Sequence, residues 1–164
     1  MPNNLIIIVL MNRVAYENIT SIKGVGQIAG IVLLHLFLKY PDANQRQITS
    51  LTGLNPIYKQ SGSSIQSGYK IAKSGASLYR SVLFMSVLAA VQHDKNFRAF
   101  YERLKSNSKH TTSAQIAVMR KIILTAHSLY KTIASMMKIS TLQKYLIYNK
   151  ISKNVTIGII VNKI

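Results

Sequence analysis

The strongest constraint on the fold is an apolar repeat in the second half of the chain. Seven residues there recur at alternating spacings of three and four, which is the period of one helix face. They are Ile116, Met119, Ile123, Ala126, Tyr130, Ile133 and Met137. The repeat predicts a long helix from Ser113 to about Lys138 that packs this seam against other helices.

Shorter apolar runs, bounded by helix-ending signals, predict four further helices. The predicted ranges are Gln27 to Lys39, Arg46 to Leu54, Leu78 to Gln92 and Lys95 to Lys105. Pro41 and the pair Asn55-Pro56 close the first two, and Asp94 is placed to cap the last. The Leu78 to Gln92 run is apolar enough to predict burial on most sides. We therefore expect a mainly α fold with a central Ser/Gly/Lys loop.

The two ends of the chain carry weaker patterns. The β-branched run Leu5 to Met11 lacks periodicity, so that both a strand and a short helix are compatible with it. The Ile/Asn/Lys composition after residue 138 favours a basic tail of uncertain structure, with a weak strand at Val155 to Val161. The predicted organisation is an N-terminal segment (1–18), a helical domain (19–138) and this tail (139–164).

The charge of the chain points to a polyanionic partner. Lys and Arg number 21 against 4 acidic residues, a formal net charge of +17. There is no acid between Asp42 and Asp94, and none after Glu102. Self-repulsion on this scale opposes compaction unless a polyanion neutralises it, and nucleic acid is the commonest such partner. An anionic membrane surface, or a basic fold without such a partner, are the alternatives.

The acidic, histidine and cysteine residues exclude several classes of enzyme. Cysteine is absent, which excludes disulfides, thiolate zinc sites and a cysteine nucleophile. The four acids (Glu17, Asp42, Asp94 and Glu102) lie too far apart in sequence to favour a two-metal nuclease or a glycosidase pair. No two histidines are spaced as metal ligands on a helix, so no metal site is assigned. His35 lies in an apolar run and is expected in the core.

The apolar runs are too short for a membrane helix, which needs about 20 residues. Leu5 to Met11, for example, contains 7 residues. No positive charge precedes that run, which is unlike a secretory signal. A cytoplasmic chain without membrane partners is the expectation.

The segment Ile22-Lys23-Gly24-Val25-Gly26 has the form of a helix-hairpin-helix turn. Two glycines let the backbone approach a phosphate, and the amides that open the next helix point towards it. The alternative is an ordinary glycine-rich helix start.

Residues 61–77 form the Ser/Gly/Lys loop, in which a short hairpin is possible. Lys59, Lys70 and Lys73 accompany its serines, and the loop contains no acid. A phosphate-binding loop is favoured over a linker or a catalytic loop, because a serine nucleophile needs a base or a metal nearby. The tyrosines Tyr58, Tyr69 and Tyr79 either stack on bases or, as is commoner, pack against the fold.

An ordered series of motifs resembles the C-terminal transposase domain of the IS one-ten, one-sixteen and nine-oh-two insertion-sequence family. The series runs Ser21-Ile22-Lys23-Gly24-Val25-Gly26, Leu51-Thr52-Gly53-Leu54-Asn55-Pro56, Ser61-Gly62, Lys73-Ser74-Gly75, Leu78-Tyr79-Arg80, Phe97-Arg98-Ala99-Phe100-Tyr101-Glu102-Arg103-Leu104 and Ala117-Val118-Met119-Arg120-Lys121. Each motif is weak alone, but their order and gaps are specific. The match covers roughly residues 19 to 131.

The resemblance implies a DNA recombinase of a mobile element. Family members join an N-terminal RuvC-like domain with four acidic metal ligands to a C-terminal domain. The C-terminal domain contributes a serine that attacks a DNA phosphate and forms a covalent link, and an element-encoded RNA guides the choice of DNA. By position that serine is Ser61. Lys73 and Arg80 match the basic positions after it, and Gly24 and Gly26 match the hairpin glycines.

Departures from the family pattern limit what this chain is expected to do alone. Lys23 replaces a proline, Ser74 an arginine and Ser77 an asparagine. The acidic nuclease half is not in this sequence, and no cofactor is assigned to the chain, because the family's magnesium belongs to that half. The isolated chain is therefore expected to be inactive. A guide RNA and a homo-oligomer are left open as partners.

The sequence thus predicts a DNA-binding C-terminal fragment of an insertion-sequence transposase, with Ser61 as its nucleophile. The predicted nucleic-acid contacts are Lys23, Gly24, Gly26, Lys59, Gly62, Lys70, Lys73 and Arg80. The alternatives are a non-enzymatic nucleic-acid-binding module and, third, a cationic membrane-surface protein.

Overall fold

The computed structural model describes residues 2–61, 65–107 and 110–161, and side chains within 8–57, 71–107 and 110–136. These residues form six helices and two strands. The elements are α1 (Pro2–Thr20), α2 (Gln27–Lys39), α3 (Gln45–Leu51), β1 (Pro56–Ser61), β2 (Ile65–Ile71), α4 (Ser77–His93), α5 (Lys95–Ser106) and α6 (Thr111–Val161). The predicted mainly α fold is confirmed.

Local signals explain where the central helices begin and end. The side chain of Asn44 accepts a hydrogen bond from the Gln47 amide and so caps α3. That helix stops three residues before its predicted end, because Gly53 takes a left-handed φ of 69°. Asp94 caps α5 as predicted, since its carboxylate accepts from the amides of Asn96 and Phe97.

The first and last described segments of the chain are helical. The ambiguous run at residues 5–11 lies within α1, and the predicted weak strand at Val155–Val161 is wrong because α6 continues to Val161. No proline follows Pro56 in the sequence, so nothing removes a backbone donor from so long a helix.

The predicted Ser/Gly/Lys loop is largely a β-hairpin. Strands β1 and β2 pair antiparallel, with Pro56 opposite Ile71 at the base and Ser61 opposite Ile65 at the far end. The register shifts between Ile57 and Lys59, which marks a β-bulge. The hairpin therefore carries Ser61 away from the helices that flank it in sequence.

The crossing of α1 and α2 depends on a small residue. A Cβ on Gly30 would lie 2.5 Å from the methyl carbon of Thr20 and 3.0 Å from the ring of Tyr16. Gly30 is buried, and the absence of its side chain lets the two helices approach.

The core is formed by one face of each of α1, α2, α4 and α6, together with side chains of α3 and of the segment that follows it. Its fully buried side chains include Ile19, Leu33, Leu36, Phe37, Ile48, Leu54, Leu83, Val87, Val118, Ile122 and Ile123. The α6 members include part of the predicted seam, and Met119, Ala126 and Tyr130 are buried with them. This packing supplies the apolar burial that a chain of such high charge needs.

Two predictions about burial are wrong. His35 is exposed, because it lies on the face of α2 opposite to Leu33 and Phe37. Helix α4 is buried along one face only, and its other face leaves Leu78 and Met85 more than half exposed. An apolar composition does not say how many faces of a helix find a partner.

Three rings meet where α2 packs against α6. The ring of Phe37 lies 5.3 Å from that of His127 and 5.4 Å from that of Tyr130, with tilted planes. Burial raises the pKa of the Tyr130 phenol above its usual value, and the charge of Asp42 raises it further. The folded protein therefore disfavours tyrosinate at this position.

This raised pKa predicts that the protein loses stability in alkali through Tyr130. Above about pH 10 the unfolded chain releases the phenolic proton more readily than the folded chain, which favours unfolding. Tyr130→Phe has no proton to lose there. Above that pH, deprotonation of Tyr130 lowers the free energy of unfolding of the natural chain but has no counterpart in Tyr130→Phe. We therefore expect the variant to gain stability relative to the natural chain as the pH rises. Urea titrations of both chains between pH 8 and 11 measure it, and parallel pH profiles would contradict the assignment.

The chain divides into two compact units, Met1–Tyr130 and Lys131–Ile164. The first contains α1 to α5, the hairpin and the start of α6, and the second contains the remainder of α6. Among the described residues, no helix has the length and apolarity needed to cross a bilayer.

Candidate nucleic-acid interface

Backbone hydrogen bonds join the two segments that flank the hairpin at its base. We call these two segments the hairpin root (residues 50–55 and 72–76). Its backbone hydrogen bonds are from the Ala72 amide to the Asn55 carbonyl (2.8 Å) and from the Lys73 amide to the Gly53 carbonyl (3.0 Å). The Ser74 hydroxyl adds a longer bond of 3.4 Å to the Ser50 carbonyl. The two ends of the hairpin are therefore fixed to each other before the strands begin.

Two glycines make this close approach possible. Gly53 and Gly75 both have left-handed backbones, with φ of 69° and 86°. A Cβ on Gly53 would overlap the Ser74 carbonyl oxygen, and one on Gly75 would overlap that of Leu51. Each glycine is thus required by the backbone of the opposite segment, which explains the two glycine motifs without any ligand.

Arg80 in the first turn of α4 joins the two segments of the root. Its Nη1 donates to the carbonyl of Thr52 at 3.2 Å, and to those of Ser74 and Gly75 at 3.4 and 3.2 Å. Hydrogen bonds from a charged donor are among the stronger ones in proteins. The predicted phosphate-binding residue therefore has a structural task, and contact of its other nitrogens with phosphate stays a prediction.

A second arginine, Arg120 of α6, holds the same segment from the other side. Its Nε donates to the Leu54 carbonyl at 2.7 Å, and its Nη2 donates to the same oxygen. Burial lowers the pKa of Arg120, although a guanidinium stays charged in proteins. Arg120 is not one of the predicted site residues. Its position directly after Met119, a residue of the predicted seam, was the available signal in the sequence.

The hairpin carries the predicted nucleophile and two of the predicted cations. Ser61 is the last residue of β1, whereas Lys59 and Lys70 lie within β1 and β2. The side chains of these three residues lie outside the described part of the structure, as does Gly62 altogether. Lys73 lies in the root itself, with an exposed side chain and a left-handed φ of 53°.

The Gly24–Gly26 turn separates α1 from α2, and its two glycines differ in their surroundings. Gly24 has a φ of 96°, and a Cβ there would lie 2.5 Å from the Ala90 amide nitrogen and 2.6 Å from the Ser86 carbonyl. Gly26 is the N-cap of α2, and a Cβ there would meet nothing within 4 Å. Close packing against α4 explains why residue 24 is a glycine. The space around Gly26, at the start of α2, is unoccupied by other groups of the protein. Lys23 beside them is exposed.

Helix α4 contacts both the hairpin root and the Gly24–Gly26 turn, but at positions far apart along its axis. Arg80 contacts the root, and Ala90 contacts the Gly24 turn. These residues are ten positions apart, or about 15 Å along the helix axis. The structure thus brings Lys73 and Arg80 together at the root, while Lys23, Gly24 and Gly26 form a separate surface.

Two of the four acids have local tasks. Glu17 pairs with Arg13 at 3.0 Å, and Asp94 caps α5. No group of three His, Cys, Asp or Glu side chains that could bind a metal occurs among the described residues. Of the tyrosines considered for base stacking, Tyr79 is buried in the core, and the side chains of Tyr58 and Tyr69 are outside the described part.

Comparison with known proteins identifies relatives for most of this region. Residues 16–102 match the model of the Transposase IS116/IS110/IS902 family. A pilin gene-inverting protein of Moraxella bovis is 30% identical over 118 residues, 69% of this chain and 36% of the relative. The pilin gene-inverting protein of Moraxella lacunata matches to the same extent. An uncharacterized 43.6 kDa protein of insertion element IS110 from Streptomyces coelicolor is 31% identical over 108 residues, 64% of this chain and 26% of the relative.

The matched part of the chain spans 36% of the length of the two Moraxella relatives and 26% of that of the Streptomyces coelicolor relative. The matched residues 16–102 include the Gly24–Gly26 turn, the whole hairpin root and Arg80. The family match covers more than half of the chain, which therefore belongs to the Transposase IS116/IS110/IS902 family.

Proposed function

We propose that this chain is the DNA-binding C-terminal part of an insertion-sequence transposase, in which Ser61 acts as the nucleophile of strand exchange. The hydroxyl of Ser61 loses its proton and attacks the phosphorus of a DNA phosphodiester. The new bond between Oγ and phosphorus replaces the bond from phosphorus to one deoxyribose oxygen, which takes up a proton and leaves as a free hydroxyl at the end of the cut strand. Neighbouring phosphates of the DNA are bound by Lys59, Lys70 and Lys73. The Gly24–Gly26 turn binds the sugar-phosphate backbone of the DNA without recognising its base sequence.

The observation that carries this proposal is the set of contacts that join the two segments of the hairpin root. A nucleophile must be held within a fraction of an ångström of its reactive position, which requires a fixed support. Gly53 and Gly75 interlock, and Arg80 and Arg120 hold the carbonyls beside them. Strand β1 leaves this root directly and ends at Ser61.

The names of the relatives agree with a role in DNA rearrangement. Two are named for inverting a pilin gene, and one is a protein of an insertion element. Inversion and transposition both require DNA strands to be cut and joined. This common chemistry supports recombination as the process in which the chain takes part.

The described residues do not fit a magnesium site of their own. Glu17 is paired with an arginine, and the Asp94 carboxylate is occupied by two amides. Hard divalent cations need several oxygen ligands together. Magnesium chemistry therefore belongs in this proposal to an acidic half supplied separately.

DNA binding is tested by the affinity of the purified chain for a 20-base-pair duplex between 50 and 200 mM salt. The logarithm of the affinity should fall linearly with that of the salt concentration, by about 0.9 per phosphate neutralised. We expect Lys23→Gln and Lys73→Gln each to lower this slope by about 1, because both lysines are exposed.

Arg13→Gln is the matched control, since Arg13 is exposed but already paired with Glu17. It should leave the slope nearly unchanged. Affinity that does not depend on salt would contradict DNA binding. A preference for anionic vesicles over DNA would instead favour the membrane-surface alternative.

A further inference from the structure

A cleft between α5 and α6 is distinct from the hairpin root and from the Gly24–Gly26 turn. Its volume is about 560 Å³, within the range of about 300–1,000 Å³ typical of small-ligand sites. The lining residues are Asp94, Asn96, Phe97, Ala99, Phe100, Arg103 and Lys121. Arg103 and Lys121 belong to two motifs of the family series, but the proposed function gives neither of them a role.

Two cations in the cleft are held by one aromatic ring. The Nζ atom of Lys121 lies 4.6 Å from the centroid of the Phe100 ring, and the Cζ atom of Arg103 lies 5.4 Å from it. Both side chains are exposed, and Phe100 is half-buried. A ring positions a cation over its face while leaving the polar hydrogens available to an anion. Two like charges thus lie against one ring in the lining of the cleft.

Four other described cations near these helices and the hairpin root contact groups of the fold. Arg80 and Arg120 hold the hairpin root. Arg98 donates to the carbonyls of Val91 and Gln92 at the end of α4. Lys105 donates to the hydroxyl of Thr111 at 2.6 Å. For Arg103 and Lys121 the contacts shown are with an uncharged ring, which does not neutralise them.

The acids near the cleft do not neutralise this pair either. Oδ1 of Asp94 accepts from two amides at the start of α5. Glu102 is exposed and is not part of the lining. The two cations and one carboxylate of the lining leave a net positive charge. An anion is the ligand that this arrangement attracts.

We propose that this cleft is a second phosphodiester site, in which Arg103 and Lys121 bind a phosphate of an unpaired DNA strand beside Phe100. The inference rests on the proposed function, because it assumes that the chain binds DNA. A cleft of this volume accommodates a nucleotide of a single strand, whereas a duplex presents a broad convex surface. Strand exchange produces such unpaired strands.

The test measures affinities for a labelled 20-nucleotide oligo(dT) and for a 20-base-pair duplex at 100 mM salt. Arg103→Gln and Lys121→Gln should each weaken oligo(dT) binding about threefold, and the double variant about tenfold. The oligo(dT) salt slope should fall by about 0.7 for the phosphate lost. Duplex affinity should fall less than oligo(dT) affinity.

Lys39→Gln is the matched control, because Lys39 also lies over a ring, that of Tyr40 at 5.6 Å, outside the cleft. It should change oligo(dT) affinity less than twofold. Phe100→Leu keeps the apolar bulk but releases the cations, so it should weaken binding about twofold to threefold with an unchanged salt slope. Lys121→Arg keeps the charge and should keep the affinity. Circular dichroism verifies that each variant is folded.

The two proposals fail in different ways. If the natural chain binds neither oligo(dT) nor duplex, the proposed function itself is overturned. If the natural chain binds oligo(dT) and the double variant binds it with the same affinity as the natural chain or Lys39→Gln, the cleft is not a phosphodiester site. Equal losses on oligo(dT) and duplex would overturn the assignment to an unpaired strand.

Discussion

Gly75→Ala should destabilise the protein by about 3 kcal/mol or more. The new methyl group would overlap the Leu51 carbonyl oxygen, and a φ of 86° is itself unfavourable for alanine. Relief of this overlap requires the two segments of the hairpin root to separate. The hydrogen bonds that Arg80 makes across the root would be lost with it. Urea unfolding followed by circular dichroism measures the change.

Gly26→Ala makes the same chemical change where the structure leaves room for it. The backbone of Gly26 is extended, and a Cβ there meets nothing within 4 Å. Its cost should stay below about 1 kcal/mol, the difference expected at a helix N-cap. Equal stabilities of the two variants would contradict the interlocked root.

Ser61→Ala should abolish strand exchange in a system in which the chain is combined with the acidic half of a relative. Alanine has no oxygen with which to form the covalent link to phosphate, and no other group in the proposal replaces it. The change removes no charge, so duplex affinity and its salt dependence should equal those of the natural chain. Gel assays for a covalent protein–DNA product and for exchanged strands provide the readouts.

Lys59→Gln is an informative companion variant, because Lys59 lies two residues before Ser61 in β1. It should weaken DNA binding but still yield the covalent product at saturating DNA. If the Ser61→Ala variant still supports strand exchange, Ser61 is not the nucleophile. That result would leave the non-enzymatic nucleic-acid-binding module as the better description.

The helices were largely predictable because their signals are local. The bounds of α2 follow from an apolar run with a glycine before it and Pro41 after it, and Asp94 caps α5 as its position predicts. The hairpin was harder to predict, since its serines, glycines and lysines are poor strand formers. Its strands begin where the two flanking segments are hydrogen-bonded to each other. These hydrogen bonds link residues about 20 positions apart in the sequence.

The mainly helical class, the high positive charge and the order of motifs that marks the family are all evident without a structure. These properties depend on composition and short spacings. The three-dimensional packing was needed to show that Gly53 and Gly75 each fit against the opposite segment, and that Arg80 and Arg120 donate to backbone carbonyls. It was also needed to show that Lys121 of α6 lies over the ring of Phe100 in α5. A glycine or a cation looks the same in a sequence whether it faces a phosphate or the protein's own backbone. The partner is fixed by packing between segments distant in the chain.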